Sequence, residues 1–502
     1  MKSHLFAAIL ERISDGDAPF LETPDGTVMT YGQLLAQSAQ FAHALGAAGA
    51  RPDDRVLVQV EKSPEAVALY LACIRTGAIF VPLNPAYTIK EIEYFIADSE
   101  PSLIICRPAL HDAMQRLSPS LACKTMDERG QGSLMTLAAE QAKEFSDAPR
   151  RSQDLAALLY TSGTTGRAKG AMLSHGNLVS NARTLVDAWH FSSEDVLLHA
   201  LPIFHVHGLF VAINVTLLAG ARMLFLPRFD AEEMVRLMPR TTVMMGVPTF
   251  YVRLLQHPGL GGDVCANMRL FISGSAPLLA DTHRAWLRST RHSILERYGM
   301  TETGMNTSNP YDGERVPGSV GLPLPGIEIR VTNPDGGAPC ARGEIGMIEV
   351  RGPNVFKGYW RMPDKTKSEF RDDGFFITGD LGRFDERGYL SIVGRSKDLI
   401  ITGGFNVYPK EVELELDTLP GVIESAVIGL PHEDFGEAVT AVLVIDGSEP
   451  MTEEHVLTAL DGRLARFKQP KRILFVEDLP RNAMGKVEKN VLRERYRDLY
   501  WG

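Results

Sequence analysis

Short apolar runs alternate with stretches of helical spacing from about residue 28 to residue 350, and this alternation admits few folds. Arg55–Val60, Ile79–Pro82, Leu103–Cys106, Val196–Leu201, Met223–Leu226, Val243–Val247 and Leu270–Ile272 have the length and composition of buried strands. Between them, Pro64–Arg75, Ile89–Ala97, Asn177–Trp189 and Ala231–Met238 place apolar residues at helical period. Strands separated by helices predict layered α/β sheets that are mostly parallel, because a parallel neighbour is reached only through a long crossover. A chain of 502 residues also exceeds what a single core holds, so two or more domains are expected. From about 316 to 394 the pattern changes to Gly- and Pro-punctuated strands (Glu328–Val331, Glu344–Val350, Tyr389–Val393), which predict a β-rich subdomain within a large N-terminal domain, 1–395. A helix at Pro409–Leu419, strands at Ser425–Ile428, Val439–Val444 and Arg472–Val476, and a helix from Thr452 predict a small C-terminal α/β domain, 396–502. The charged stretch Arg395-Ser396-Lys397-Asp398 marks the boundary.

Charge and cysteine usage narrow the functional class. A formal net charge of −10 leaves no broad basic surface for a general nucleic-acid binder, though local positive charge still suits a small anion. The cysteines (Cys73, Cys106, Cys123, Cys265, Cys340) are scattered, odd in number and never spaced as C-x-x-C, a pattern of buried free thiols in a reducing compartment. The apolar run Leu5–Leu10 is too short for a secretory leader and stops at Glu11-Arg12. The most membrane-like stretch, Leu209–Leu226, contains Asn214, Thr216, Gly220 and Arg222 and reads as a buried helix followed by a strand. A soluble cytoplasmic protein without a membrane partner is expected.

The most chemically informative stretch is Tyr160-Thr161-Ser162-Gly163-Thr164-Thr165-Gly166-Arg167-Ala168-Lys169-Gly170, which follows the apolar run Leu155–Leu159. Its glycines let consecutive N–H groups converge on one anion, and its hydroxyls and two cations suit a polyphosphate. It is not a Walker A loop, since Lys169 precedes Gly170 rather than following a glycine and leading into Ser or Thr. Alone, it is also compatible with a flexible surface loop.

Five further segments stand at intervals: Leu201-Pro202-Ile203-Phe204-His205-Val206-His207-Gly208; Ser273-Gly274-Ser275-Ala276-Pro277-Leu278; Glu296-Arg297-Tyr298-Gly299-Met300-Thr301-Glu302-Thr303; Thr378-Gly379-Asp380 with Gly394-Arg395-Ser396-Lys397-Asp398; and Pro480-Arg481-Asn482-Ala483-Met484-Gly485-Lys486. Taken singly, Thr378-Gly379-Asp380 is an ordinary turn, Glu302 a solvated acid and Lys486 one more surface lysine. In this order, over roughly residues 20–490, the six resemble the adenylate-forming superfamily of acyl-CoA synthetases, carrier-adenylating domains and luciferases. The resemblance implies ATP-dependent activation of a carboxylate with Mg²⁺, then attack by a thiol such as coenzyme A. It implies that Thr161, Ser162, Gly163, Thr164, Thr165, Gly166 and Lys169 hold the β- and γ-phosphates. Glu302 would hold Mg²⁺, and Thr301 would touch the α-phosphate. Gly274, Ser275, Ala276, Glu296, Tyr298 and Gly299 would form the adenine slot, with Tyr298 stacked on the base. Asp380 would take the ribose diol beside Arg395, Lys397 would be the hinge, and Lys486 the lysine that bridges carboxylate and α-phosphate. His205, Gly403 and Gly404 are expected along the approach of coenzyme A. His207 reads equally as a core or a gating histidine.

The acid itself is suggested by arginines. Arg253, Arg297 and the Ser275 hydroxyl are expected near one pocket, where paired guanidinium hydrogen bonds would anchor a second carboxylate and so favour a short diacid. The run from Arg297 to Asn309 and the ending Pro480–Lys489 resemble malonyl-CoA synthetases, which implies malonate as substrate with methylmalonate tolerated. Competing readings are a synthetase for a short or medium monocarboxylic acid and an enzyme that loads a carrier protein in trans; the end of the chain at Gly502, with no carrier module, favours free coenzyme A. The context of Lys486 also resembles a site at which a protein acetyltransferase silences such enzymes by removing the charge.

Overall fold

The computed structural model describes residues 4–161, 168–333, 337–447, 450–482 and 484–501. These form two compact units. One takes the chain up to Gly274 with Leu278–Glu328 and Val350–Phe376; the other takes Ser275–Pro277, Ile329–Glu349 and the chain from Ile377 onward.

Two sheets organise the first unit. In the six-stranded sheet the order is Ala122–Thr125, Leu103–Cys106, Arg55–Gln59, Ile79–Pro82, Leu155–Thr161 and Lys169–Ser174. Every pairing is parallel except the last, where Leu155–Thr161 and Lys169–Ser174 run antiparallel. The nine-stranded sheet has a parallel centre that includes Arg222–Phe225, Val196–His199, Val243–Gly246, Leu270–Ser273 and Ile294–Met300. Gly274, Thr301 and the 201–208 segment therefore follow carboxyl ends of neighbouring parallel strands, where crossover loops of open α/β sheets gather ligand-binding groups. The crossover helices begin where local chemistry says they should. Thr88 and Glu91 form a reciprocal capping box, as do Ser174 and Asn177. Ser63 caps a helix with Pro64 in its first turn, and Gly77 ends that helix in the left-handed region. Pro64–Thr76 is buried from Ala66 to its end, which accounts for its nearly continuous apolar sequence.

The second unit contains most of a four-stranded sheet (Glu328–Thr332, Gly346–Arg351, Phe376–Phe384, Leu390–Arg395) and a five-stranded sheet built on the hairpin Val422–His432 and Gly436–Ile445. Alternation divides that hairpin between two cores. Val427, Val439, Ala441 and Leu443 face the helices Pro409–Leu416 and Glu453–Leu460, whereas Ala426, Ile428, Leu430 and Val442 pack with Leu492 of Lys489–Arg495.

Ile79–Pro82, Leu103–Cys106 and Arg472–Val476 lie where the sequence places them. The hairpin strands run longer than their apolar centres, because ladder pairing extends through polar ends such as Glu424 and Glu437. The stretch from 209 to 226 is a buried helix and a strand, but its first part, His207–Ile213, is a π-helix, which apolar spacing does not distinguish from an α-helix. All five cysteines are free. No helix among the described residues is long and apolar enough to cross a membrane.

Trp286 is fully buried and meets Tyr251 and Phe271 edge-on at 4.9 and 5.0 Å. Replacing it by Ala leaves a cavity in the core of the first unit and is expected to cost about 3–5 kcal/mol, seen as a lower urea midpoint for the unfolding of that unit.

Candidate active site

In the first unit the hairpin Leu155–Thr161/Lys169–Ser174 sets Thr161 opposite Lys169 at the root of the expected phosphate loop. Ser162, Gly163, Thr164, Thr165, Gly166 and Arg167 lie outside the described residues. Lys169 is buried, with Nζ 3.5 Å from Glu369 Oε1 and 4.1 Å from the centre of the Tyr359 ring. The Tyr359 hydroxyl stands 3.0 Å from Glu302 Oε1 and 2.8 Å from Glu369 Oε2, so its single hydrogen serves two carboxylates. Burial and the two acids push Tyr359 up, which keeps it a neutral donor. Burial works against the Glu369 carboxylate, but Lys365, Tyr359 and Lys169 outweigh it and hold its pKa below the usual range.

Thr301 and Glu302 sit in the turn between Ile294–Met300 and Gly304–Ser308. Gly299 is required there, because a Cβ would strike the Gly304 carbonyl oxygen across the hairpin. The turn is stapled from outside. Asn181 accepts from the Met305 N–H at 3.0 Å and donates to its carbonyl at 2.9 Å, and Asn354 donates to the Thr303 carbonyl at 2.7 Å. Glu302 is buried, a hard oxygen donor suited to Mg²⁺. No group of three or more His, Cys, Asp or Glu side chains among the described residues could hold a metal. The fit is therefore to an ion taking one protein carboxylate and completing its shell with phosphate oxygens and water. Tyr298 is buried next to this turn, and the buried Glu296 carboxylate accepts from the Gly318 N–H at 3.2 Å and lies 3.5 Å from His283, which makes it a strut for the adjoining loop.

Arg297 is a buried cation with incomplete hydrogen bonding. It is only 3% exposed, and its Nε and Nη2 have no hydrogen-bond partner among the described residues. Burial pulls its pKa down to about 9, with Tyr251 pulling the other way. A Cβ at Gly274 would fall on its guanidinium, so a side chain there would displace Arg297 from its present place. His205 and His207 share its surroundings. Burial, then the charge of Arg297, lowers His205 to about 4 and His207 well below its usual range, so both are neutral. The His207 N–H donates to His205 Nδ1 at 3.2 Å, which leaves the His205 hydrogen on Nε2. Arg253 is not part of this group. On the helix Pro248–Leu255 Tyr251 faces Arg297, and two residues farther along, about 200° around the helix, Arg253 is exposed with its guanidinium 6.0 Å from the Phe229 ring.

In the second unit Ser275 adopts a left-handed backbone with φ of 72°, a conformation that costs a non-glycine residue on the order of 1–3 kcal/mol and marks this loop as constrained; Ala276 beside it is half-buried. Asp380 is buried after Gly379, its N–H held by Thr378 Oγ1 at 3.0 Å, and its Oδ1 is 2.6 Å from Arg395 Nε. Gly403 and Gly404 have φ of 55° and 82° and form the two-residue turn joining Ile400–Thr402 to Phe405–Val407. Lys486 lies in a tight loop organised by Asn482, whose Oδ1 accepts from the N–H groups of Met484 and Lys486, both at 3.0 Å. Arg481 is tied to Glu424, and Lys489 reaches the buried Glu413 at 2.5 Å. The Lys486 side chain stays exposed. Enclosure by the surrounding protein and then the like charge of Arg395 nevertheless pull its pKa to about 8, against the opposing pull of Asp380 and Asp398. Lys397 is lowered as well, first by its surroundings.

The first unit thus carries a buried Glu302 linked through Tyr359 to Glu369 and Lys169, and the second an acid–arginine pair with a lysine of depressed pKa, groups whose chemistry suits an enzyme that activates its substrate with a nucleotide. The AMP-binding enzyme model matches residues 13–360, and the AMP-binding enzyme C-terminal domain model matches residues 411–486. The chain belongs to the AMP-binding enzyme family and has the adenylate-forming fold of a large N-terminal and a small C-terminal domain. It is similar to a malonate–CoA ligase of Arabidopsis thaliana, 34% identical over 520 residues that cover 94% of this chain and 85% of the relative. A feruloyl-CoA synthase of an Amycolatopsis species is 36% identical over 480 residues, covering 94% of each chain. The crystal structure of ATP-bound MatB from Rhodopseudomonas palustris matches with a TM-score of 0.98 and 59% identity over 100% of both chains.

Tyr359, Glu369, Asn181, Asn354 and Asn482 were not legible as site residues. Only Asn482 lies inside one of the six segments; the others reach Glu302, Lys169 or the 301–305 hairpin end from elsewhere in the chain.

The Lys486 amine should acylate with a half-point near pH 8, below that of an ordinary lysine. Following its modification by acetic anhydride with mass spectrometry across pH 6–11 (a range of roughly two units or more on either side) checks this.

Proposed function

We propose that the protein ligates malonate to coenzyme A through a malonyl-adenylate, with release of pyrophosphate and then AMP. The observation that carries this reading is Arg297, a buried guanidinium with two nitrogens lacking partners in the described structure. A buried cation of this kind is a strong site for an anion, and the planar fork of Arg favours a carboxylate. A diacid held there by one carboxylate presents the other for reaction; the neutral His205 and His207 add no competing charge. The relative named as a malonate–CoA ligase supports the same substrate. Arg253, exposed, has no part in the proposed anchor.

In the first half-reaction a carboxylate oxygen attacks the α-phosphorus and pyrophosphate leaves. Both reactants are anions, so positioned positive charge is the main requirement. Lys169 and the loop it closes would hold the leaving pyrophosphate; Glu302 would hold Mg²⁺, which when bound neutralises phosphate charge. Tyr359 orients the Glu302 carboxylate, and Thr301 lies beside it. Asp380 with Arg395 would take the ribose, and the backbone of Gly274–Ala276 with Tyr298 and Gly299 the base. Lys486 would bridge the reacting carboxylate and the α-phosphate. In the second half-reaction the coenzyme A thiol attacks the acyl carbonyl and AMP departs; Lys397 is the proposed hinge between the two, and His205, Gly403 and Gly404 are the proposed thiol approach. Acetylation of the exposed Lys486 by a protein acetyltransferase would remove the charge that the first step needs. The scattered free thiols support a cytoplasmic setting.

ATP- and coenzyme A-dependent thioester formation is expected with malonate, with acetate and octanoate far poorer. Acetate matching malonate would overturn the reading in favour of a monocarboxylic acid. Arg297→Ala should lower kcat/KM for malonate by roughly a hundredfold or more, the cost of leaving one charge of a buried pair without its partner, while KM for ATP changes little.

A further inference from the structure

Lys62 stands just past the strand Arg55–Gln59, and no carboxylate among the described residues forms an ion pair with it. Its Nζ is 2.8 Å from His199 Nδ1, 3.0 Å from the His199 carbonyl oxygen and 4.3 Å from the centre of the Phe225 ring. Burial pulls both Lys62 and His199 well below their ordinary ranges. A lysine placed so close to an imidazole nitrogen, without an acid to pair it, is costly to keep. Its geometry shows what it does locally. The Gly208 carbonyl can only accept, so Nε2 of the neutral His199 carries the hydrogen and Nδ1 is left as the acceptor for a Lys62 N–H. That Nε2–H donates to the Gly208 carbonyl at 2.9 Å.

Gly208 lies in the first turn of the π-helix His207–Ile213, and a Cβ there would strike the Pro202 carbonyl. The chain between Pro202 and Gly208 is therefore drawn into a tight loop, and that loop carries His205 and His207 to Arg297. The far end of the π-helix is held independently, where Asn214 accepts from the Tyr70 hydroxyl at 3.2 Å.

We propose that Lys62 is a positioning residue for the acyl site: it fixes the tautomer of His199, whose bond to Gly208 holds the loop that sets His205 and His207 beside Arg297. Lys62 contacts none of the three substrates in this scheme. The inference rests on malonate being the acid that Arg297 binds.

The test compares steady-state kinetics of Lys62→Met and Lys62→Arg with those of two His199 variants. Lys62→Met should raise KM for malonate about tenfold, the order expected when a buried hydrogen bond is left half-made, with KM for ATP unchanged. Lys62→Arg, which keeps a donor, should recover most of the loss. His199→Gln offers an acceptor to Lys62 and an N–H to Gly208, so it should remain close to the parent enzyme, whereas His199→Leu should resemble Lys62→Met; this pair decides the matter if Lys62→Met fails to fold. A folded Lys62→Met enzyme with the parent KM for malonate, or His199→Gln behaving as His199→Leu, overturns the proposal. A parent enzyme that does not use malonate overturns the substrate reading instead.

Discussion

The site is organised around a positive charge that the fold buries and leaves incompletely bonded. Arg297 is enclosed by Tyr251, the glycine face of residue 274 and two neutral histidines, and two of its nitrogens have no acceptor among the described residues. Isolated burial of a guanidinium is unfavourable by several kcal/mol at least. The surroundings therefore have to be rigid enough to prevent the charge from relaxing toward solvent. Trp286 and Phe271 pack behind Tyr251, Gly274 leaves room for the guanidinium that a Cβ would displace, and the His205–His207 loop is pinned through His199. A ligand carboxylate would relieve the cost, which turns a destabilising feature into specificity.

The other charges of the first unit are treated differently. Lys169 and Glu302 are joined through Tyr359 and Glu369, so each rests against a partner that holds its orientation. In the second unit Asp380 and Arg395 are paired, and the Lys486 loop is tied by Asn482, Arg481 and Lys489 to fixed points of its own unit. Groups proposed to meet phosphate, ribose and metal are thus held by protein counter-charges or hydrogen bonds, whereas the group proposed to meet the acid is held mainly by shape.

Much of this was legible in the sequence because it is local. The parallel strands announced themselves by apolar runs, and the caps at Ser63, Thr88 and Ser174 by their own side chains. Lys169, Glu302, Asp380, Arg395 and Lys486 stand in short segments whose order carries the information. Side-chain direction was not legible. Arg253 and Arg297 both looked available for a carboxylate, yet helical geometry turns Arg253 outward and leaves Tyr251 facing in. Contacts between distant segments were equally hidden. Tyr359 reaches Glu302, and Lys62 reaches His199, because sheet order brings their strands and loops together, and no spacing within either segment reports it.

Malonamate keeps the size and reacting carboxylate of malonate but replaces the second carboxylate by a neutral amide. The most direct test is ATP–pyrophosphate exchange driven by each acid, in the parent enzyme and in Arg297→Met. A buried, otherwise incompletely bonded Arg297 predicts a malonate-to-malonamate preference of roughly a hundredfold or more, collapsing toward unity in the variant. Equal exchange with the two acids in the parent enzyme, or a preference that survives Arg297→Met, would contradict the account.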